Sequence, residues 1–122
     1  MKIERYKDLE VWKKGMEIVQ AVYENTQKFP EKEIYGLASH MRKTAISIPS
    51  NIAEGFARSH RKEFAQFCNV AIGSCAELET QVIIARRLDY IKAGKGDELE
   101  AMLDHESRML RRLILSLDRK DS

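Results

Sequence analysis

The sequence predicts an all-α protein, an antiparallel up-down-up-down four-helix bundle whose second helix is kinked at Pro49. Three observations carry that expectation. Apolar residues recur at spacings of three and four along four successive segments, the period of an α-helix with one buried face. Only 2 Pro and 6 Gly occur in 122 residues, too few for the many tight corners of a small β-sandwich or barrel. The connections between the periodic segments are short, which makes consecutive helices antiparallel neighbours. With 43% hydrophobic and 33% charged residues and a net charge of +2, the chain is neither disordered nor a polybasic tail, and residues 1–122 read as one domain.

The first helix is expected from Asp8, a good N-cap, to about Lys28, where Phe29-Pro30 stops it. It carries two adjacent apolar stripes, Leu9, Trp12, Met16, Val19 and Tyr23 in one, Val11, Ile18, Val22 and Phe29 in the other. Together they are wider than one core contact requires, which predicts a second partner surface. The second segment, about Lys32 to Ala57, has a single stripe of Ile34, Leu37, Met41, Ala45, Ile48, Ile52 and Phe56. Pro49 interrupts its hydrogen bonding, so either the helix kinks there or a short loop spans Ser47 to Ser50. The unbroken phase of the stripe favours a kink, with Ser47, Ser50 or Asn51 able to bond the freed carbonyl.

Ser59 is the expected N-cap of the third helix, whose main stripe is Phe64, Phe67, Cys68, Ala71, Cys75, Leu78, Val82 and Ala85. Ala65, Ile72, Ala76 and Ile83 flank it and again widen the apolar sector. The helix should end near Tyr90-Ile91. Asp97 is the expected cap of the fourth helix, with a core stripe of Leu99, Met102 or Leu103, Leu110, Leu113 and Leu117. Its acids concentrate in residues 97–106 and its bases in 107–120, as the helix macrodipole favours. Glu106 falls inside the apolar stripe. It is either a polar core residue with a basic or amide partner, or a sign that the helix rolls.

Chemistry is sparsely signalled. His40, His60 and His105 form no Glu-x-x-His or His-Glu-x-x-His pattern, and Gly94-Lys95-Gly96 lacks the context of a phosphate loop, so no metal, cofactor or catalytic residue is expected. Cys68 and Cys75 are about 10 Å apart along one helix axis, too far to pair, and read as buried core thiols. Glu54, Glu77 and Glu79 are expected to pair with cations such as Arg42 and Arg86. The opening residues contain no signal-like apolar run and no segment approaches ~20 apolar residues, which predicts a cytoplasmic protein outside the membrane.

Basic residues cluster more informatively. Under up-down topology the end of helix two, the start of helix three and the end of helix four share one end of the bundle. That gathers Arg58, Arg61, Lys62, Arg111, Arg112, Arg119 and Lys120 as a candidate phosphate-binding surface for RNA or DNA. Val11, Ile18, Val22, Ile72 and Ile83 are the candidate contacts between copies of the chain.

Three stretches carry a resemblance: Tyr6-Lys7-Asp8-Leu9-Glu10-Val11-Trp12; Ser47-Ile48-Pro49-Ser50-Asn51-Ile52-Ala53-Glu54-Gly55 with Phe56 and Arg58; and Gly73-Ser74-Cys75-Ala76-Glu77-Leu78-Glu79-Thr80-Gln81. They resemble the bacterial 23S rRNA intervening-sequence protein family over nearly the whole chain. The resemblance implies a four-helix bundle that forms a homopentamer and has no known catalytic activity. That family is similar to the accessory variability determinant of diversity-generating retroelements, which implies RNA, DNA or a reverse transcriptase as partners. The expectation is a non-enzymatic oligomer that binds nucleic acid, or alternatively a scaffold for a protein partner such as a nucleic-acid enzyme.

Overall fold

The computed structural model describes residues 3–118, which form α1 (Glu10–Thr26), α2 (Leu37–Ala57), α3 (Arg61–Arg87) and α4 (Ala93–Asp118). Short 3₁₀ turns at Tyr6–Asp8 and Glu31–Glu33 precede the first two helices, and no strand occurs among the described residues. Arg119 and Lys120 lie outside them.

Contacts between neighbouring helices run in opposite chain directions. Arg42, early in α2, meets Thr26, at the end of α1, whereas Pro49 lies against Gly15 further back. Between α2 and α3, Thr44 meets Gln81, Ser47 meets Ser74, and Gly55 meets Phe67. Arg86, at the end of α3, meets Asp97 and Glu100 near the start of α4. Finally α1 closes on α4, with Gly15 against Glu106.

The core takes Met41, Ala45, Ile48 and Ile52 from α2, Cys68, Ala71, Cys75, Leu78, Val82 and Ala85 from α3, and Leu99, Leu103 and Leu110 from α4. From α1 it takes Val11, Ile18 and Val22, exposed by 5%, 0% and 0%. These three were expected at a contact between copies, and they are instead interior to a single chain. Gly15 explains the choice of stripe. It lies on the Val11–Ile18–Val22 line of the helical wheel, and with no side chain it lets α1 seat directly on Pro49 and Glu106.

Helix boundaries differ from the expected ones for local reasons. Asp8 belongs to the first 3₁₀ turn and pairs with Arg5 at 3.5 Å, so Leu9 takes the N-cap position of α1. Ile34 is exposed and precedes α2. Glu33 instead sets the start of that helix, where its Oε1 accepts the Leu37 N–H at 3.1 Å. The helix runs continuously through Pro49, which removes the alternative of a loop at 47–50. The Asn51 amide donates to the Ser47 carbonyl at 2.7 Å, not to the Ala45 carbonyl that Pro49 leaves without its helical donor.

Ser59 does not cap α3. It ends α2 in the left-handed region at φ 63°, and His60 occupies the N-cap position without a side-chain bond. Asp89, at φ 62°, ends α3 in the same way, with Tyr90 N–H donating to the Ala85 carbonyl at 2.8 Å and Asp89 N–H to the Arg86 carbonyl at 3.0 Å. This six-to-one bond with the five-to-two bond inside it is a Schellman closure. α4 starts at Ala93, four residues before the expected cap. Asp97 is one turn inside and holds Arg86 at 3.0 Å, while the Gly96 backbone packs under the Arg86 stem.

Candidate functional site

Exposed apolar side chains occur on several elements, Val70, Ile84 and Leu115 among them, and one group of them lies on the outer side of α1. Once Val11, Ile18 and Val22 turn inward, the other stripe must face out: Met16 is 45% and Tyr23 38% exposed, with Leu9, Trp12 and Val19 half-buried. Ile46 of α2 adds a further 41% exposed side chain. Tyr6, Trp12, Met16, Val19, Ile46, Pro49, Ser50 and Ala53 together line one shallow groove between α1 and α2. Such a continuous apolar patch marks an interaction site more than scattered surface leucines do.

This groove is organised, not loose. The Trp12 ring meets Tyr6 edge-on with centroids 5.5 Å apart. Further along α1, the Arg42 guanidinium lies 4.6 Å over the Tyr23 ring and donates from Nε to Thr26 Oγ1 at 2.9 Å. Thr26 in turn donates to the Val22 carbonyl at 2.8 Å, so Arg42 is committed to α1 and does not pair with a glutamate. The groove residues of α1 are legible in the sequence as an apolar stripe, but which of the two stripes faces outward is set by the contact of Gly15 with Pro49 and Glu106.

Of the two flanking α3 residues expected at an interface, Ile83 is 38% exposed and Ile72 half-buried. Ile72 lines a second groove between α3 and α4 with Cys75, Glu79, Asp104, Ser107 and Arg111. Neither lies among the residues lining the α1/α2 groove.

The basic residues gather less tightly than expected. Arg58 is bound in place, to Glu54 at 3.2 Å and Glu63 at 3.4 Å, with its guanidinium 5.1 Å over the Phe67 ring. Arg61 lines a depression with Ile3, Glu4, Phe56, Ser59, His60 and Phe64. Arg111 lies level with Ile72, eleven residues along α3 from Arg61, which is about 16 Å at 1.5 Å per residue. Arg112 is on another side of α4, beside Leu9, Glu10 and Val11. Thus Arg58 and Arg61 share a corner, while Arg111 and Arg112 flank two different helix pairs. Lys62, Arg111 and Arg112 are exposed and make no ion pair with another described residue.

Inside the bundle, Cys68 and Cys75 are free thiols, and burial pushes them up to about 12 and about 11. They are therefore protonated and unreactive at neutral pH. Glu106 is fully buried, and neither carboxyl oxygen has a hydrogen-bond partner among the described residues. It is a core residue, yet without the basic or amide partner expected of one. No group of three or more His, Cys, Asp or Glu among the described residues could hold a metal, and no described helix is long and apolar enough to cross a membrane.

Residues 7–112 match the family model of the 23S rRNA-intervening sequence protein. The chain belongs to this family. A crystal structure of a protein of unknown function from the S23 ribosomal protein family of Bacteroides thetaiotaomicron is similar to it, with a TM-score of 0.76. That match has 20% identity over 85% of this chain and 97% of the other, and it shows the shared helical fold. A comparison with curated proteins finds no match. The family match covers the residues of the α1/α2 groove except Tyr6, includes the Gly15–Pro49–Glu106 contact, and ends at Arg112.

Proposed function

We propose that this family member is a non-enzymatic cytoplasmic building block that associates with further copies of itself through the outer groove of α1 and α2. The observation that carries the reading is the second apolar stripe of α1. Trp12, Met16 and Val19 adjoin Ile46 across a helix pair whose own core is already filled by Val11, Ile18 and Val22. Met16 and Ile46 are about two-fifths exposed, so covering each is worth about 1 kcal/mol, and several such side chains at a shared face can hold an oligomer together. Five copies is the number that the resemblance implies. Light scattering should give a mass several times 14.1 kDa, and Met16→Glu with Ile46→Glu should return it to that of one chain while helicity is kept. A wild-type monomer at micromolar concentration would overturn the reading.

A second reading, contact of the assembled oligomer with RNA or DNA, is favoured by Lys62, Arg111 and Arg112, whose charges are not spent on ion pairs with other described residues. One copy offers few cations on any one face, and repetition around an oligomer multiplies them. Binding to generic RNA should weaken steeply with salt and be lost when these three are replaced by Glu. If copurifying polypeptide survives nuclease treatment while RNA binding is undetectable at low salt, the scaffold alternative, with a protein such as a nucleic-acid enzyme as partner, replaces it.

A further inference from the structure

Three residues that each oppose their local structure meet at one point in the bundle. Gly15 sits inside α1, where glycine weakens a helix, and Pro49 sits inside α2, where it removes a backbone donor. Glu106 sits inside α4 with both carboxyl oxygens buried and unpartnered among the described residues. A β-carbon at position 15 would lie 3.3 Å from Glu106 Oε2 and 3.3 Å from both Cβ and Cδ of Pro49, so the absent side chain is what lets the three helices close here. Packing alone would be served better by an apolar residue at 106, as it is at Leu99, Leu103 and Leu110 on the same face.

We propose that Glu106 is a proton-controlled latch for α1: neutral, it lets Gly15 and Pro49 close over it, and ionised, it draws Lys14 away from Glu17 and loosens the seat of α1. A carboxylate cannot stay ionised in an apolar core without a cation or water. Lys14 is the cation that acts on Glu106; it adjoins Gly15 in sequence and now reaches outward to Glu17, with Nζ 3.1 Å from Oε1. Its flexible four-carbon stem can change partner without unfolding the helix.

The groups around Glu106 leave it as the titrating member of the core. Burial pushes its carboxyl up to about 8, with Lys14 opposing the rise and Glu17 adding to it. α3 contributes the Cys68 and Cys75 thiols, both neutral until well above that range. The buried residues of α2, Pro49 among them, include no titratable group.

The test uses the full chain, at one fixed concentration, between pH 6 and 9.5. Side-chain carboxyl NMR should show Glu106 titrating with a midpoint near 8, and Lys14→Met should move that midpoint upward. Trp12, the single tryptophan, lies on α1 beside Pro49 in the outer groove. Its emission should shift with the same midpoint and show no such transition in Glu106→Gln. A Glu106 midpoint in the ordinary carboxylate range, a midpoint unmoved by Lys14→Met, a Trp12 transition that persists in Glu106→Gln, or a Glu106 titration with no Trp12 response would each overturn the latch.

Discussion

Replacing Glu106 with Gln should stabilise the folded chain at neutral pH, and the size of the effect can be worked from its surroundings. The side chain is fully buried, and burial raises its carboxyl from the ordinary 4.5 to about 8. A group whose folded value is raised takes up a proton on folding. Its favourable contribution is complete below the unfolded value of 4.5, declines as pH rises, and is gone once pH passes 8. At about 1.36 kcal/mol per pH unit, folding at pH 7 is disfavoured by about 3 kcal/mol relative to acid conditions. Glutamine has nearly the same shape, also lacks a partner, and carries no proton to bind. The variant and the wild type should therefore unfold alike near pH 4.5, and the variant should lead by about 3 kcal/mol at pH 7, with the gap levelling off above pH 8. Urea unfolding followed by circular dichroism, at matched protein concentration across pH 4.5–9, measures the difference. Every other titrating group is common to both proteins and cancels. A gap that does not change with pH, or a Gln variant less stable than wild type at pH 7, would refute the reasoning.

The remaining expectations concern packing and backbone. Gly55→Ala should be destabilising by about 1–3 kcal/mol, because the new β-carbon would lie 2.5 Å from Phe67 Cβ. Gly73→Ala meets nothing within 4 Å in the middle of α3 and should gain about 0.5–1 kcal/mol; thermal melts of the pair check both signs. Ser59→Gly should raise stability by about 1 kcal/mol, since Ser59 holds a left-handed conformation at φ 63° that costs an L-residue about that much; denaturant unfolding in which Gly lowers stability would contradict it. Ile18→Ala should cost about 2–5 kcal/mol as a core cavity, which separates the inner stripe of α1 from its outer one. If urea unfolding shows less than 1 kcal/mol lost, Ile18 is not the core residue described.

How much was legible depended on whether a pattern had one solution. The stripe of α2 from Leu37 to Phe56 permits a single inward face, and the helix keeps it through Pro49. α1 offered two adjacent apolar stripes, and periodicity cannot rank them. The ranking came from Gly15, whose meaning appears only when Pro49 and Glu106 arrive from other helices. Boundaries were misplaced for a related reason. Asp8, Ser59 and Asp97 are all good caps by chemistry, but Asp8 was taken by a 3₁₀ turn, Ser59 by a left-handed helix end and Asp97 by Arg86.

The sequence by itself determined that this chain is helical, where its four helices run to within a few residues, and that it carries more apolar surface than one small core needs. Those are properties of spacing, local and additive along the chain. The tertiary structure decided which surplus faces outward, that Arg58 is held by Glu54 and Glu63 while Lys62, Arg111 and Arg112 are not, and that Glu106 meets Gly15 and Pro49 without a partner. The ion pairs of Arg58 are local, four and five positions apart, but the meeting of Gly15, Pro49 and Glu106 joins residues 34 to 91 positions apart, which only the packing of helices against one another brings within reach.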